Sequence, residues 1–335
     1  MSLAIGIIVG TAVSLVVTRV VELAARRRRL FDIPNERSSH GVPTPRLGGI
    51  GIIAGTVAAL AASGALADSR VFIVLLGAIL VAGIGLLDDV RDTSVVAKLA
   101  AQVAAATGAV FLLDPVVATG APGSVLTSLP VWASWLIAIV WIVAICNVVN
   151  FMDGTDGLVA AYVSAVAIAL ALILSASPLF LALAGGCLGF LVWNRAHASI
   201  FMGDSGSQFI GFVLGAGLLV RGETAPLLLG ILVLAPLLFD TTLTLLRRMA
   251  SGRNVFQAHR EHLYQQIADR WSHAAVSVVY AGAGVVCGLA AYASTDGLQL
   301  ISLALVAAVL AAIFFLSVQS RVPDTSTVAR GRRYS

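Results

Sequence analysis

The chain has 335 residues, 59% of them hydrophobic and 11% charged, with a mean hydropathy of +0.97 and a formal net charge of +4. Soluble globular domains carry about 25% charged residues, so this composition excludes a fold that faces water on all sides. Apolar runs long enough to cross a bilayer of about 30 Å as helices recur from end to end, whereas barrel strands would give short segments of alternating polarity. The expectation is an all-α, polytopic integral membrane protein.

In chain order, the predicted spans are 3–21, 47–64, 71–87, 97–113, 131–149, 158–175, 178–193, 205–220, 226–246, 274–292 and 298–318, about 11 transmembrane helices. The first span carries no charge before Arg19, and the Arg26–Arg29 run follows it. A cleaved signal peptide has its positive charge before the apolar stretch. The reverse order here predicts an N-terminus outside and the Arg run in the cytoplasm, which leaves the C-terminus cytoplasmic. With this layout only Arg70 and Arg221 of the 21 Lys and Arg fall outside, as the positive-inside rule requires. The net charge is therefore a topology signal and a match to anionic lipid, with no role for nucleic acid. All five His fall inside as well, so any chemistry faces the cytoplasm. Cys146, Cys187 and Cys287 sit in apolar segments without a CxxC pair and read as small buried hydrophobes. Four-residue glycine spacings such as Gly185–Gly189, Gly211–Gly215 and Gly284–Gly288 read as helix-packing surfaces.

Five inner segments carry polar residues that apolar packing does not need. The first loop, FDIPNERSSHGVPTPRLGG, is broken by prolines and offers His40 and Arg46 to an anion. Asp88 and Asp89 end the third span in GLLDDVRD; adjacent acids at a membrane edge repel and call for a cation or a proton. The fifth span runs into NVVNFMDGTDG, which holds Asn147, Asn150, Asp153 and Asp156. Asn147 and Asn150 share one helical face, and Gly154 and Gly157 break the helix. The acids are three apart, so this is no EF-hand loop. FMGDSGS opens the eighth span with Asp204 in a small-residue turn, a helix N-terminus suited to phosphate. The longest inner loop, FDTTLTLLRRMASGRNVFQAHREHLYQQ, has Asp240 inside the membrane edge, then dense positive charge with His259, Arg260 and His262. Without HExxH or a nearby Cys, Arg beside His fits diphosphate better than zinc.

LLDDVRD, NVVNFMDGTDGL, FMGDSGS and AHREHLYQ, in this order, resemble the polyprenyl-phosphate N-acetylhexosamine-1-phosphate transferase family, bacterial glycosyltransferase family 4. The resemblance runs from Asp32 to about Trp271, and NxxNxxDGxDG is its most specific block. It implies that a polyprenyl phosphate, taken as undecaprenyl phosphate, attacks the β-phosphorus of a UDP-N-acetylhexosamine and releases UMP. By motif, Asp88, Asp89 and Asp204 would be catalytic. Asp204, Asp88 and Asp153 would hold Mg²⁺, with Mn²⁺ as its substitute. Asn147, Asn150, Asp153, Asp156, His259, Arg260, His262, Arg46 and His40 would bind substrate. Direct displacement and a path through a covalent aspartyl intermediate both satisfy the motifs.

Residues 1–320 would form one transmembrane catalytic domain in the bacterial inner membrane, and 321–335 a polar, disordered tail. AHREHLYQ has Arg260 and Glu261 between its two His, where the peptidoglycan and common-antigen branches have a loop richer in His. It looks most like the enzymes that initiate O-antigen. Phospho-N-acetylmuramoyl-pentapeptide transferase is the alternative. A secondary transporter, the rival from another class, would carry its ionisable groups near the midplane on broken helices. The expected partners are the UDP-sugar, undecaprenyl phosphate and membrane lipid, with room for a homodimer.

Overall fold

The computed structural model describes residues 2–33, 42–114, 117–118, 130–174, 177–220, 225–255, 257, 259–295 and 297–321. His40 and residues 322–335 of the expected tail lie outside them. Twelve α-helices are present among the described residues: α1 (Ser2–Arg27), α2 (Gly49–Ala62), α3 (Ser69–Arg91), α4 (Val95–Leu113), α5 (Val131–Met152), α6 (Leu158–Ile173), α7 (Pro178–Asn194), α8 (Gly203–Gly217), α9 (Leu227–Ala250), α10 (Leu263–Arg270), α11 (His273–Thr295) and α12 (Gln299–Arg321). Each expected span coincides with one helix. The addition is α10, an eight-residue amphipathic helix inside the long polar loop.

Seven helices, α1, α3, α4, α5, α9, α11 and α12, are long and apolar enough to cross a membrane. The apolar α2, α6 and α7 have 14, 16 and 17 residues, and α8 has 15. A 14-residue helix rises about 21 Å, short of a core of about 30 Å. Several long helices instead overrun the apolar stretch that predicted them. α3 continues through Asp88 and Asp89 to Arg91, and α5 through Asn150 to Met152, so these polar side chains sit on helical geometry.

The short α8 is the centre of the bundle, buried from Ser205 to Gly217. Lipid tails are as apolar as the helices, so association depends on close fit. A Cβ on Gly211 would lie 2.5 Å from Cα of Cys146 on α5, and one on Gly77 of α3 would lie 2.4 Å from the Phe212 ring. Gly185 and Gly189 of α7 meet the α1 backbone in the same way, and Gly284 and Gly288 of α11 meet α6. The expected glycine faces are thus contact surfaces. All three cysteines are free and buried.

Candidate active site

Four helix ends meet at a lysine. The Asp88 carboxylate closes α3 by accepting the Thr93 N–H at 2.7 Å and its hydroxyl at 2.8 Å. Ser94 then caps α4 by accepting the Ala97 N–H at 3.2 Å. One turn on, Lys98 Nζ lies 3.0 Å from Asp88 Oδ2 and 2.8 Å from Asp204 Oδ2 of α8. The other oxygen of Asp204 accepts Asn150 Nδ2 of α5 at 2.9 Å, and that amide also reaches Ser207 Oγ at 3.0 Å. α3, α4, α5 and α8 therefore each supply a side chain to one cluster. Asp88, Asp204 and Asn150 were expected there. Lys98 entered the sequence reading only as an inward positive charge, because a lysine at a span end is indistinguishable from a topology signal.

Asp89 faces elsewhere. Its two oxygens accept the N–H groups of Asp204 at 2.7 Å and Ser205 at 3.1 Å. The N-terminus of α8, expected to face phosphate, has its first N–H groups filled by this carboxylate. The approach is tight: Gly203 has φ +73°, and a Cβ there would lie 2.6 Å from the Asp89 carboxylate. A Cβ on Gly85 would lie 2.5 Å from the Asp204 carbonyl oxygen, and one on Gly49 2.3 Å from Gly206 N.

Asp153 follows α5 and accepts no hydrogen bond among the described residues. It keeps some solvent access, but the protein around its carboxyl, then repulsion from Asp204, Asp89 and Asp156, pushes it up to about 8. Asp156 has a different role. It accepts the N–H groups of His197 at 3.1 Å and Ala198 at 3.2 Å, and lies 3.3 Å from His273 Nδ1 of α11. Burial alone would raise its pKa, and these bonds outweigh burial and lower it. Asp156 thus ties three segments together. Asn147 bonds Gln102 of α4 at 2.7 Å, one turn inward from Asn150.

The basic loop hangs on a buried carboxylate. Asp240 is 0% exposed and accepts Leu263 N–H at 2.9 Å, Tyr264 N–H at 3.0 Å and Tyr280 OH at 2.7 Å, with His262 Nδ1 at 3.1 Å. The His262 side chain also accepts the Gln265 N–H as the cap of α10, and these two contacts hold the ring in one orientation. His259, His262 and Tyr264 stack, with ring centroids 5.0 Å and 5.6 Å apart. Tyr264 OH donates to the Phe151 carbonyl at 3.1 Å and lies where a Gly154 Cβ would be, which joins this loop to the Asp153 turn. Burial, then His262 and Arg248, pushes His259 down to about 4, and its buried Nδ1 has no partner. Arg260 pairs with Asp269 at 2.8 Å, and the buried Arg248 pairs with Glu261. Arg46 pairs with Asp32 and feels the charges of Asp89 and Asp92, which places it beside the acids.

Among the described residues no group of three His, Cys, Asp or Glu side chains forms a ready metal cage. Mg²⁺ is usually held by one or two carboxylates together with substrate phosphates and water. Asp153, unpartnered and crowded by other acids, and Asp204 beside it in charge are oxygen donors of that kind. The residues present fit a hard divalent cation.

The comparisons agree with this geometry. The Glycosyl transferase family 4 model matches residues 71–222. A probable undecaprenyl-phosphate N-acetylglucosaminyl 1-phosphate transferase of Bacillus subtilis is 29% identical over 282 residues, covering 78% of this chain and 76% of its own. The decaprenyl-phosphate N-acetylglucosaminephosphotransferase of Mycobacterium tuberculosis is 32% identical over 315 residues, 80% of this chain and 77% of its own. A phospho-N-acetylmuramoyl-pentapeptide-transferase of Mycobacterium bovis is 31% identical over 309 residues, 76% and 85% of the two chains. Motifs, fold and relatives coincide, and the chain belongs to the polyprenyl-phosphate N-acetylhexosamine-1-phosphate transferase family.

Proposed function

We propose that the protein transfers N-acetylglucosamine 1-phosphate from UDP-N-acetylglucosamine to a polyprenyl phosphate, undecaprenyl phosphate in the first instance. The arrangement that carries this reading is Lys98 held between Asp88 and Asp204, beside Asn150 and the unpartnered Asp153. The names of the Bacillus and Mycobacterium relatives favour N-acetylglucosamine as the sugar. Entry into envelope polysaccharide synthesis, O-antigen included, follows from such a product.

In the reaction an oxygen of the lipid phosphate forms a bond to the sugar-bearing phosphorus of the donor. The bond from that phosphorus to the bridging oxygen breaks, its electron pair leaves on UMP, and a polyprenyl-diphospho-sugar remains. Asp204 and Asp153 would hold Mg²⁺, which would supply the charge neutralisation at the diphosphate that phosphoryl transfer chiefly requires. Lys98 adds a fixed positive charge, and Asp88 holds that ammonium in place. Both oxygens of Asp88 and of Asp89 are already engaged, which favours direct displacement by the lipid phosphate over attack by these two carboxylates. His259, whose Nδ1 has no partner, stands over the His262 ring as the histidine that can meet the donor's phosphates.

The charge asymmetry supports an N-terminus outside, with residues 1–320 as one catalytic unit whose active site faces the cytoplasm of a bacterial inner membrane. Purified protein with undecaprenyl phosphate, Mg²⁺ and a panel of UDP-sugars should release UMP with UDP-N-acetylglucosamine and stop on EDTA. Release with UDP-N-acetylmuramoyl-pentapeptide alone would move the assignment to the peptidoglycan branch. No release with any donor from folded protein would remove the proposal.

A further inference from the structure

The reacting cluster lies above a second polar layer. Lys98, Asp204 and Asn150 each have an amide one turn deeper on the same helix: Gln102, Gln208 and Asn147. α4 and α8 begin at the reacting end and α5 finishes there, so all three amides lie about 5.4 Å further inside. The amides bond to one another. Asn147 Nδ2 donates to Gln102 Oε1 at 2.7 Å, and Gln102 Nε2 donates to Gln208 Oε1 at 2.8 Å. Gln102 and Gln208 are 2% and 3% exposed. Buried amides away from water need each other, since an unmet group there costs its full desolvation.

The layer matters because of how α4 is held. Among the described residues, the side-chain hydrogen bonds from α4 to α8 are Lys98 to Asp204 and Gln102 to Gln208. Gln102 is also α4's side-chain bond to α5. Without it, only apolar packing against α3 and α5 would back up the ammonium's own ion pairs, which substrate phosphates and a cation must compete with. A bond one turn away fixes the rise and rotation of α4 independently of ligand.

We propose that Gln102, Gln208 and Asn147 are positioning residues, an amide clasp that sets Lys98 against Asp204 for the transfer step. The inference rests on the reaction proposed above. The test is UMP release by the full chain in detergent, comparing wild type, Gln102→Met, Gln208→Met and the double variant, with thermal unfolding midpoints on the same samples. Each single variant should lower kcat about tenfold or more and leave KM for UDP-N-acetylglucosamine within about twofold. The double variant should lose no more than the worse single one, since the Gln102–Gln208 bond is already lost in each. Gln208→Met cuts the clasp from α8 and serves if Gln102→Met does not fold. Unchanged kcat in a folded single variant, or multiplying losses in the double, would overturn the clasp. A wild type that releases no UMP would take the clasp down with the reaction itself, and the wild-type sample alone identifies that case.

Discussion

At the residue scale, the two neighbouring acids of LLDDVRD have separate tasks. Asp88 holds Lys98, while Asp89 satisfies the first N–H groups of α8. Sequence could place both at one membrane edge but could not divide them, since adjacent residues on a helix point about 100° apart and what each meets is set by other helices. The unseen partner was Lys98, whose contacts are 10 and 106 residues away in sequence. Asp204→Asn should lower turnover about a hundredfold or more, the scale of losing one group aimed at developing charge. Lys98→Met should do the same, with both variants unfolding near the wild-type temperature; UMP release and thermal melts check this. His259 gives a test that needs no substrate. Its pKa of about 4 lies below the ordinary 6.5. Between those values the unfolded chain binds more protons, so this side chain subtracts stability as pH falls from about 6.5 towards 4. His259→Gln should therefore lose less thermal stability between pH 7 and pH 4.5 than wild type does; an equal loss would contradict the burial of this ring.

At the element scale, the apolar periodicity and the breaks between runs were enough to place eleven helices. α10 was missed because eight polar-rich residues after a His–Arg segment look like loop. Their helix depends on Asp240, 23 residues upstream, accepting the N–H groups that start it. The pairing of Gln102 with Gln208 was missed for a related reason: Gln102 is a single polar residue in an apolar run, Gln208 trails the polar turn of Asp204–Ser207, and only the three-dimensional pairing explains them. The entry to α8 gives the prediction at this scale. Gly203 and Gly64 both have positive φ, +73° and +74°, yet only Gly203 has protein in the path of a Cβ. Gly203→Ala should cost about 1–3 kcal/mol from backbone strain, plus displacement of Asp89, and should lower activity. Gly64→Ala should show the backbone cost alone with activity intact. Equal effects on melting and UMP release would mean that the Asp89 cap does not matter.

At the scale of the whole molecule, composition was enough for the class of protein, while the division of labour in the site had to come from tertiary contacts. The sidedness can be tested without activity. The three native cysteines are buried, so the wild type should be silent to an impermeant thiol reagent. Ser251→Cys, exposed just after α9, should stay unlabelled in intact cells and label after lysis. Labelling from outside would invert the topology.

Asp240 lies four residues after Pro236, a helix-interior proline that removes a backbone bond from α9. The basic loop is thus moored to a carboxylate ten residues inside α9, on a helix that lacks one of its backbone bonds. Helices tilt to match the thickness of the surrounding bilayer. A change in the tilt of α9 would carry His259 and His262 with it relative to the acids of α3 and α8.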